Sequence, residues 1–208
     1  GRPMDASLIF AQFMRGLSRG MMLFLIASGL SFIFGVMNII NFAHATLWLV
    51  GAYLCYSFWY LMQGYGFGMW LSIPLAALSL AAIGGIIEVM LIRRVYKREL
   101  PEQLLLTYAM VLVLGDLIKI VWGVEDKLIE RPPLVASPVF IFGMPFDSYF
   151  IFVILVGFAV AISLCLFLKK TRYSHIVRAA VFSREMVSAL GIPIPRIYTG
   201  VFALGIFI

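Results

Sequence analysis

Ile151-Phe-Val-Ile-Leu-Val-Gly-Phe-Ala-Val-Ala-Ile-Ser-Leu-Cys-Leu-Phe-Leu168, followed at once by Lys169-Lys-Thr-Arg172, decides how this chain is read. With Tyr149 and Phe150 the apolar run reaches about 20 residues, the length a helix needs to cross a bilayer. Behind it Lys169, Lys170, Arg172, Arg178, Arg184 and Arg196 face the single acid Glu185. Such an excess of basic residues marks a cytoplasmic loop. A further apolar run follows from Ile197.

The pattern holds along the chain. Hydrophobic residues make up 63% and charged residues 12%, and the mean hydropathy is +1.04, far from the composition of a soluble domain. The apolar blocks have helical length and lack the short alternating segments of a membrane barrel. The expected fold is all-α, a polytopic transmembrane helical bundle forming a single domain over 1–208. The net charge of +6 sits in loops between apolar blocks, where the positive-inside bias accounts for it, so nucleic acid is not expected as a partner. Cys55 and Cys165 lie in apolar runs without pairing or metal-ligand spacing and read as packing residues. The chain starts Gly1-Arg2 and ends inside an apolar run, as expected of a piece of a longer protein.

Residues 1–15 are too interrupted to span and suit a short interfacial helix. Spans are expected at about Gly16–Val36, Ala43–Met62, Met69–Ile92, Gln103–Gly123 and Tyr149–Leu168, with a sixth beginning near Ile197. Ala77, Ala81 and Gly85 form a small-residue stripe on the third span. The basic cluster Arg93, Arg94, Lys97 and Arg98 is placed in the cytoplasm and the acidic, proline-rich segment 124–148 outside. Counting back puts the N-terminus outside, against which Arg2, Arg15 and Arg19 argue. Within the loop 169–196, Ser183 to Leu190 reads as a short helix capped by Ser183, complemented by Glu185 and stopped by Gly191 and Pro193. It is too short to be stable alone, and Met186, Val187 and Leu190 are expected on one face that needs an apolar surface, either lipid or protein.

Asn38-Ile-Ile-Asn41-Phe-Ala-His44 places two amides and an imidazole between two apolar blocks, at membrane depth. Two readings stand: a helix break whose freed backbone groups line a cavity, or a tight interfacial turn with an Asn cap and His44 bonded to backbone. Glu88, just before Arg93 and Arg94, reads as a structural ion pair or a snorkelling carboxylate. Asp116 and Lys119 share a helix face and read as a bundle-facing pair; as a proton relay they would belong to a secondary transporter or channel. Trp48, Trp59, Tyr60, Trp70, Trp122 and Tyr149 suit an aromatic belt. No catalytic constellation, metal cluster or phosphate-binding loop is present in the sequence, so neither catalysis nor a cofactor is expected.

Gly16-Leu-Ser-Arg-Gly20, Ala27-Ser-Gly-Leu30, Ile33-Phe-Gly35, Asn41-Phe-Ala-His44 and Gly51-Ala-Tyr53, then Glu88 with Arg93, Thr107, Arg178-Ala179 and Leu190-Gly191-Ile192, resemble the inner-membrane permeases of branched-chain amino acid ABC transporters. The resemblance covers nearly the whole chain and about the first two-thirds of a family member. The chain departs from the family pattern at Ala45 and Ala109, where glycine is usual. The resemblance implies a multi-pass permease of the bacterial inner membrane that imports a branched-chain amino acid or a similar small solute, with urea and short-amide permeases as relatives of the same family. It implies separate ABC ATPase subunits, a second permease subunit and an extracytoplasmic solute-binding protein as partners beside membrane lipid. Asn38, Asn41, His44 and Thr107 become candidates for the translocation pathway. Arg178, Arg184, Glu185, Met186, Leu190 and Gly191 fall in the loop that, in ABC importers, docks on the ATPase.

Overall fold

A computed structural model describes residues 6–65, 68–129, 135, 137–141 and 144–208. The described residues form a helical membrane bundle: α1 (Ala6–Met37), α2 (His44–Leu61), α3 (Gly68–Met90), a 3-10 turn (Ile92–Val95), α4 (Leu100–Trp122), α5 (Ser148–Lys170), α6 (Arg172–Phe182), α7 (Arg184–Ala189) and α8 (Ile194–Phe207), with β1 (Pro138–Ile141) and β2 (Met144–Asp147) before α5. Four of these helices carry stretches long and apolar enough to cross a membrane: Leu8–Met37, Gly68–Met90, Leu100–Trp122 and Ser148–Lys170. The expected second span, α2, is an 18-residue helix whose apolar character is diluted by His44 and its Tyr, Trp and Ser residues. The described part of the sixth is the 14-residue α8.

The chain divides into two compact units, one of Ile26–Ile129 with Leu168–Ile208, the other of Gly1–Leu25 with Glu130–Phe167. In the larger unit α3 packs between α2 and α8. Ser72, Ala76, Leu80, Gly84 and Glu88 form its buried line, whereas Ala77, Ala81 and Gly85 are only half-buried. The expected small-residue stripe therefore flanks the true contact row. A helix held between two neighbours buries a face wider than one row, and spacing alone does not say which row is central. Gly84 lies under Ile206 and Gly51 under Leu80, so close that a Cβ there would come within 2.9 Å and 2.8 Å of those side chains. At the far end of α2, the Trp122 indole N–H donates to Ser57 Oγ at 2.7 Å and Tyr53 packs on the Trp122 ring at 5.3 Å. This belt tryptophan thus also fastens α4 to α2.

In the smaller unit, Gly157 of α5 sits against Met21 of α1, and a Cβ there would fall 2.9 Å from the Met21 sulfur. The β1–β2 hairpin pairs Pro138 with Asp147 and Val139 with Phe146. It lies within 124–148, expected as plain loop; prolines at 138 and 145 obscure its alternation, and the pairing puts Pro138 at a strand start where no N–H is needed. The Asp147 carboxylate accepts from the Tyr149 amide at 3.0 Å, which starts α5. Glu130, Arg131, Pro132 and Pro133, part of the expected external loop, lie outside the described residues, as do residues 66 and 67 of the Gln63–Gly68 turn.

Two further boundaries differ from expectation. The interfacial helix expected over residues 1–15 and the first span form one 32-residue helix; residues 1–5, with Arg2 and Asp5, lie outside the described residues. Arg15 and Arg19 interrupt hydropathy but not helix geometry: both point outward, and about 48 Å of helix exceeds the ~30 Å hydrocarbon core. The loop 169–196 also contains a second helix, α6. Thr171 Oγ1 caps it by accepting from the Ser174 amide at 3.2 Å, and Ser174, Val177 and Ala180 line its buried face.

The basic clusters dictate sidedness. A cysteine in place of Lys97 is expected to react with impermeant maleimide only from the cytoplasmic face, and one in place of Asp126 only from the opposite face. Labelling of both from one side would overturn the assignment.

Candidate functional site

Alpha-1 ends at Met37 because Asn38 turns left-handed, with φ +58°, while its amide still donates to Phe34 O at 2.8 Å. Asparagine is one of the few non-glycine residues that visits this region readily. The side chain of Asn38 is exposed, so its evident part is to end the helix.

The chain then doubles back along α1. The His44 ring Nε2 lies 3.1 Å from Ile26 O, about three helical turns (~16 Å) before Met37. Asn38–Ala43 is therefore a non-helical strand running beside the last turns of α1, and α2 begins well inside the length of its neighbour. Irregular backbone at membrane depth is tolerated only where protein or a water-filled cavity surrounds it. Here Met37, Ile39, Asn41 and Ala43 are all buried. Asn41 Oδ1 accepts from the Ala43 amide at 3.1 Å, and the Asn41 carbonyl accepts from the His44 amide at 3.2 Å. The segment has features of both readings: a local Asn turn with His44 on backbone, and a break that extends far along the span.

Two polar atoms are left over. A carbonyl can only accept, so His44 Nε2 carries the proton toward Ile26, and Nδ1 of the neutral ring is an acceptor. That Nδ1 and Asn41 Nδ2 are both buried without a hydrogen-bond partner. Buried polar groups rarely stay unpaired, so an unfilled donor and an unfilled acceptor make Asn41 and His44 the stronger pathway candidates. Thr107 is fully buried, but its hydroxyl is taken up by Gln103 O at 3.1 Å on its own helix. No hydrogen bond seen among the described residues joins it to the break. Gly29 of α1 makes room for the arrangement: a Cβ there would strike the Gly205 carbonyl of α8 and come 3.2 Å from the His44 ring.

The loop candidates separate into two sets. As expected, Ser183 Oγ accepts from the Met186 amide at 3.2 Å. Alpha-7 then closes with Gly191 at φ +78°, Gly191 N–H on Ser188 O and Ile192 N–H on Val187 O, the bond pattern of a Schellman stop. The expected common face of Met186, Val187 and Leu190 is split. Val187 is 3% exposed while Met186 and Leu190 are 66% and 74% exposed, because successive helical residues lie about 100° apart. Val187 gives α7 an internal anchor, so the helix has more support from its own chain than its length suggests. Met186 and Leu190 are thus left outward and apolar, and Phe182, just before Ser183, is 93% exposed as well. Glu185 is exposed, and Arg178 lies outward against His175 Nδ1 at 2.8 Å.

Arg184 turns the other way. It donates to Met37 O at 3.3 Å, and its guanidinium lies 5.4 Å from the centre of the Tyr198 ring. Tyr198 meets Tyr96 edge-on at 5.2 Å, and the Tyr96 hydroxyl donates to Glu88. Glu88, fully buried, is also held by Arg93 at 3.0 Å and by the Thr199 hydroxyl at 2.6 Å. The hydrogen bond to Glu88 raises the Arg93 pKa further above its ordinary value. Burial, aided by Glu88, raises that of Tyr96. Both remain donors to the carboxylate at any ordinary pH. The ion pair of Glu88 with Arg93 was legible in the sequence; Thr199, more than a hundred residues away, was not. Asp116 and Lys119 do pair, at 3.0 Å, but are 71% and 61% exposed. Among the described residues they are not enclosed by this chain, contrary to the bundle-facing placement expected.

Over residues 12–208 the chain matches the family described as branched-chain amino acid transport system / permease component. It is similar to the high-affinity branched-chain amino acid transport system permease protein BraD of Pseudomonas aeruginosa, with 27% identity over 93% of this chain and 66% of that protein. The chain thus spans a little under two thirds of that relative's length. No solved structure matches it.

The packing at Gly29 can be tested directly. Gly29→Ala is expected to lower the melting temperature of the detergent-purified protein by an amount equivalent to about 1–3 kcal/mol of overpacking. Gly35→Ala, in open space, is expected to leave it unchanged. Equal melting temperatures for the two variants would contradict the close approach of α1 and α8.

Proposed function

Since the chain belongs to the permease-component family of branched-chain amino acid transport systems, we propose that it is the membrane-spanning subunit of a bacterial inner-membrane ABC importer. It passes a branched-chain amino acid or a similar small solute, and separate ATPase subunits, a second permease and an extracytoplasmic binding protein complete the system. The observation that carries this proposal is the form of α7: a helix capped at both ends, pinned by Val187, with Phe182, Met186 and Leu190 left exposed in the most basic loop. A lipid surface could cover such side chains, but a pre-shaped capped helix with an acid at its start suits a protein groove. Docked there, it would move with nucleotide-driven closure of the ATPase and rock the spans between inward-open and outward-open states. The chain itself performs no chemistry on the solute.

In this scheme Asn41 and His44 offer the solute, or the water that accompanies it, a donor and an acceptor. Urea and short amides, carried by related permeases, could use the same two groups, so a competition assay with leucine, urea and acetamide separates the substrates. Asn41→Leu and His44→Leu are expected to reduce uptake while leaving insertion and assembly intact. Full uptake by both would return the segment to a purely structural turn.

Docking is tested at the outward patch. Leu190→Ala and Glu185→Lys are expected to lower the affinity for the ATPase about tenfold or more, as truncation of an interface hot spot does, with unchanged membrane insertion. Wild-type retention of the ATPase by both variants would remove the support for docking through α7.

A further inference from the structure

Arg184 is the first residue of α7 and is exposed like Met186 and Leu190, yet its guanidinium reaches back to α1 and α8. It donates to the carbonyl of Met37, the last residue of α1, and lies over the ring of Tyr198 on α8. The Met37 carbonyl is one of the free acceptors that every helix C-terminus leaves, and a cation there is favoured by the helix dipole. The next residue, Asn38, begins the non-helical segment that leads to Asn41 and His44. The Tyr198 ring in turn packs on Tyr96, which donates to the buried Glu88 carboxylate. One side chain therefore touches the end of the broken helix and one edge of the polar cluster that ties α3 to α8.

We infer that Arg184 is the positioning residue through which movement of α7 reaches the helix break at Asn38–Ala43. This rests on α7 being the ATPase-docking helix, and it adds a division of labour: Met186 and Leu190 grip the partner, and Arg184 carries displacement inward. A guanidinium suits this part because it can donate to a carbonyl and stack on an aromatic face at once. With α7 displaced, the Met37 carbonyl would be pulled or released, and the left-handed turn at Asn38 would be the joint that responds.

The test uses the full chain in membrane vesicles with its ATPase, in a background where Cys55 and Cys165 are alanine and the exposed Phe42 is replaced by cysteine. The rate of maleimide labelling at position 42 is compared between the nucleotide-free state and the state trapped with a non-hydrolysable ATP analogue. The parent is expected to show a change of about fivefold or more, the scale of an ordinary coupling free energy. Arg184→Ala is expected to abolish that change while the amount of bound ATPase stays the same, and Arg184→Lys to restore part of it. Should Arg184→Ala fail to insert, Arg184→Met, which keeps much of the side-chain length but neither the donor for Met37 nor the cation over Tyr198, carries the same comparison. A full labelling change in the alanine or methionine variant overturns the inference. So does loss of the bound ATPase in either, which would make Arg184 a docking contact. No labelling change in the parent with ATPase bound also overturns it, because the break would then not move. Failure of the parent to bind any ATPase tells against the docking helix itself and is read separately from these outcomes.

Discussion

The carboxylate of Glu88 ties the end of α3 to the turn that follows it and to α8. It is fully buried, and three donors from three places in the chain converge on it: Arg93 in the 3-10 turn, Tyr96 just beyond, and Thr199 on α8. An unpaired buried charge would cost several kcal/mol, and removing one partner of such a set is expected to cost about 3–5 kcal/mol. The carboxylate therefore demands that the end of α3 and the first half of α8 stay together. Ile197, Tyr198, Val201, Phe202, Gly205 and Ile206 can then bury one face of α8, and Gly205 can meet Gly29 of α1.

From that contact follows the room for the break. A segment that leaves helical geometry at membrane depth must find its hydrogen-bond partners in protein. The wall it needs comes from α1 and α8, held close where Gly29 meets Gly205, and the missing side chain of Gly29 admits the imidazole of His44. The left-handed Asn38 and the inward run of Ile39 and Ala43 are thus supported by contacts distant in sequence.

Spans and loops were legible because a bilayer reduces the problem to runs of apolar length and clusters of basic residues. Alpha-3, α4 and α5 begin and end within a few residues of where the sequence puts them, as do the caps of α7, whose Ser183 and Gly191 carry their conformational meaning in their own side chains. Legibility fell where a feature depends on what lies opposite. The interruption at Arg15 suggested a boundary in α1 that the backbone does not respect. Ala77, Ala81 and Gly85 share a spacing with the row that is actually buried. Met186 and Val187 are neighbours in sequence but face opposite surroundings, and Asp116 with Lys119 satisfied the spacing of a pair without being enclosed. Among the candidate site residues, the break at Asn38–His44 was identifiable by polarity alone, whereas its depth along α1 and the contact of Arg184 with Met37 required coordinates.

Ser183 belongs to two helices. Its amide closes α6 on Ala179 O at 3.0 Å, and its hydroxyl opens α7 on the Met186 amide, so no linker separates the two. A joint of one residue has no slack with which to absorb a change of length. Inserting or deleting a single amino acid in the first turn of α7 would move each later residue by about 100° around the helix and take Val187 out of its buried position. Substitutions on the outer side of this part of the loop are accordingly expected to be tolerated better than any change in its length.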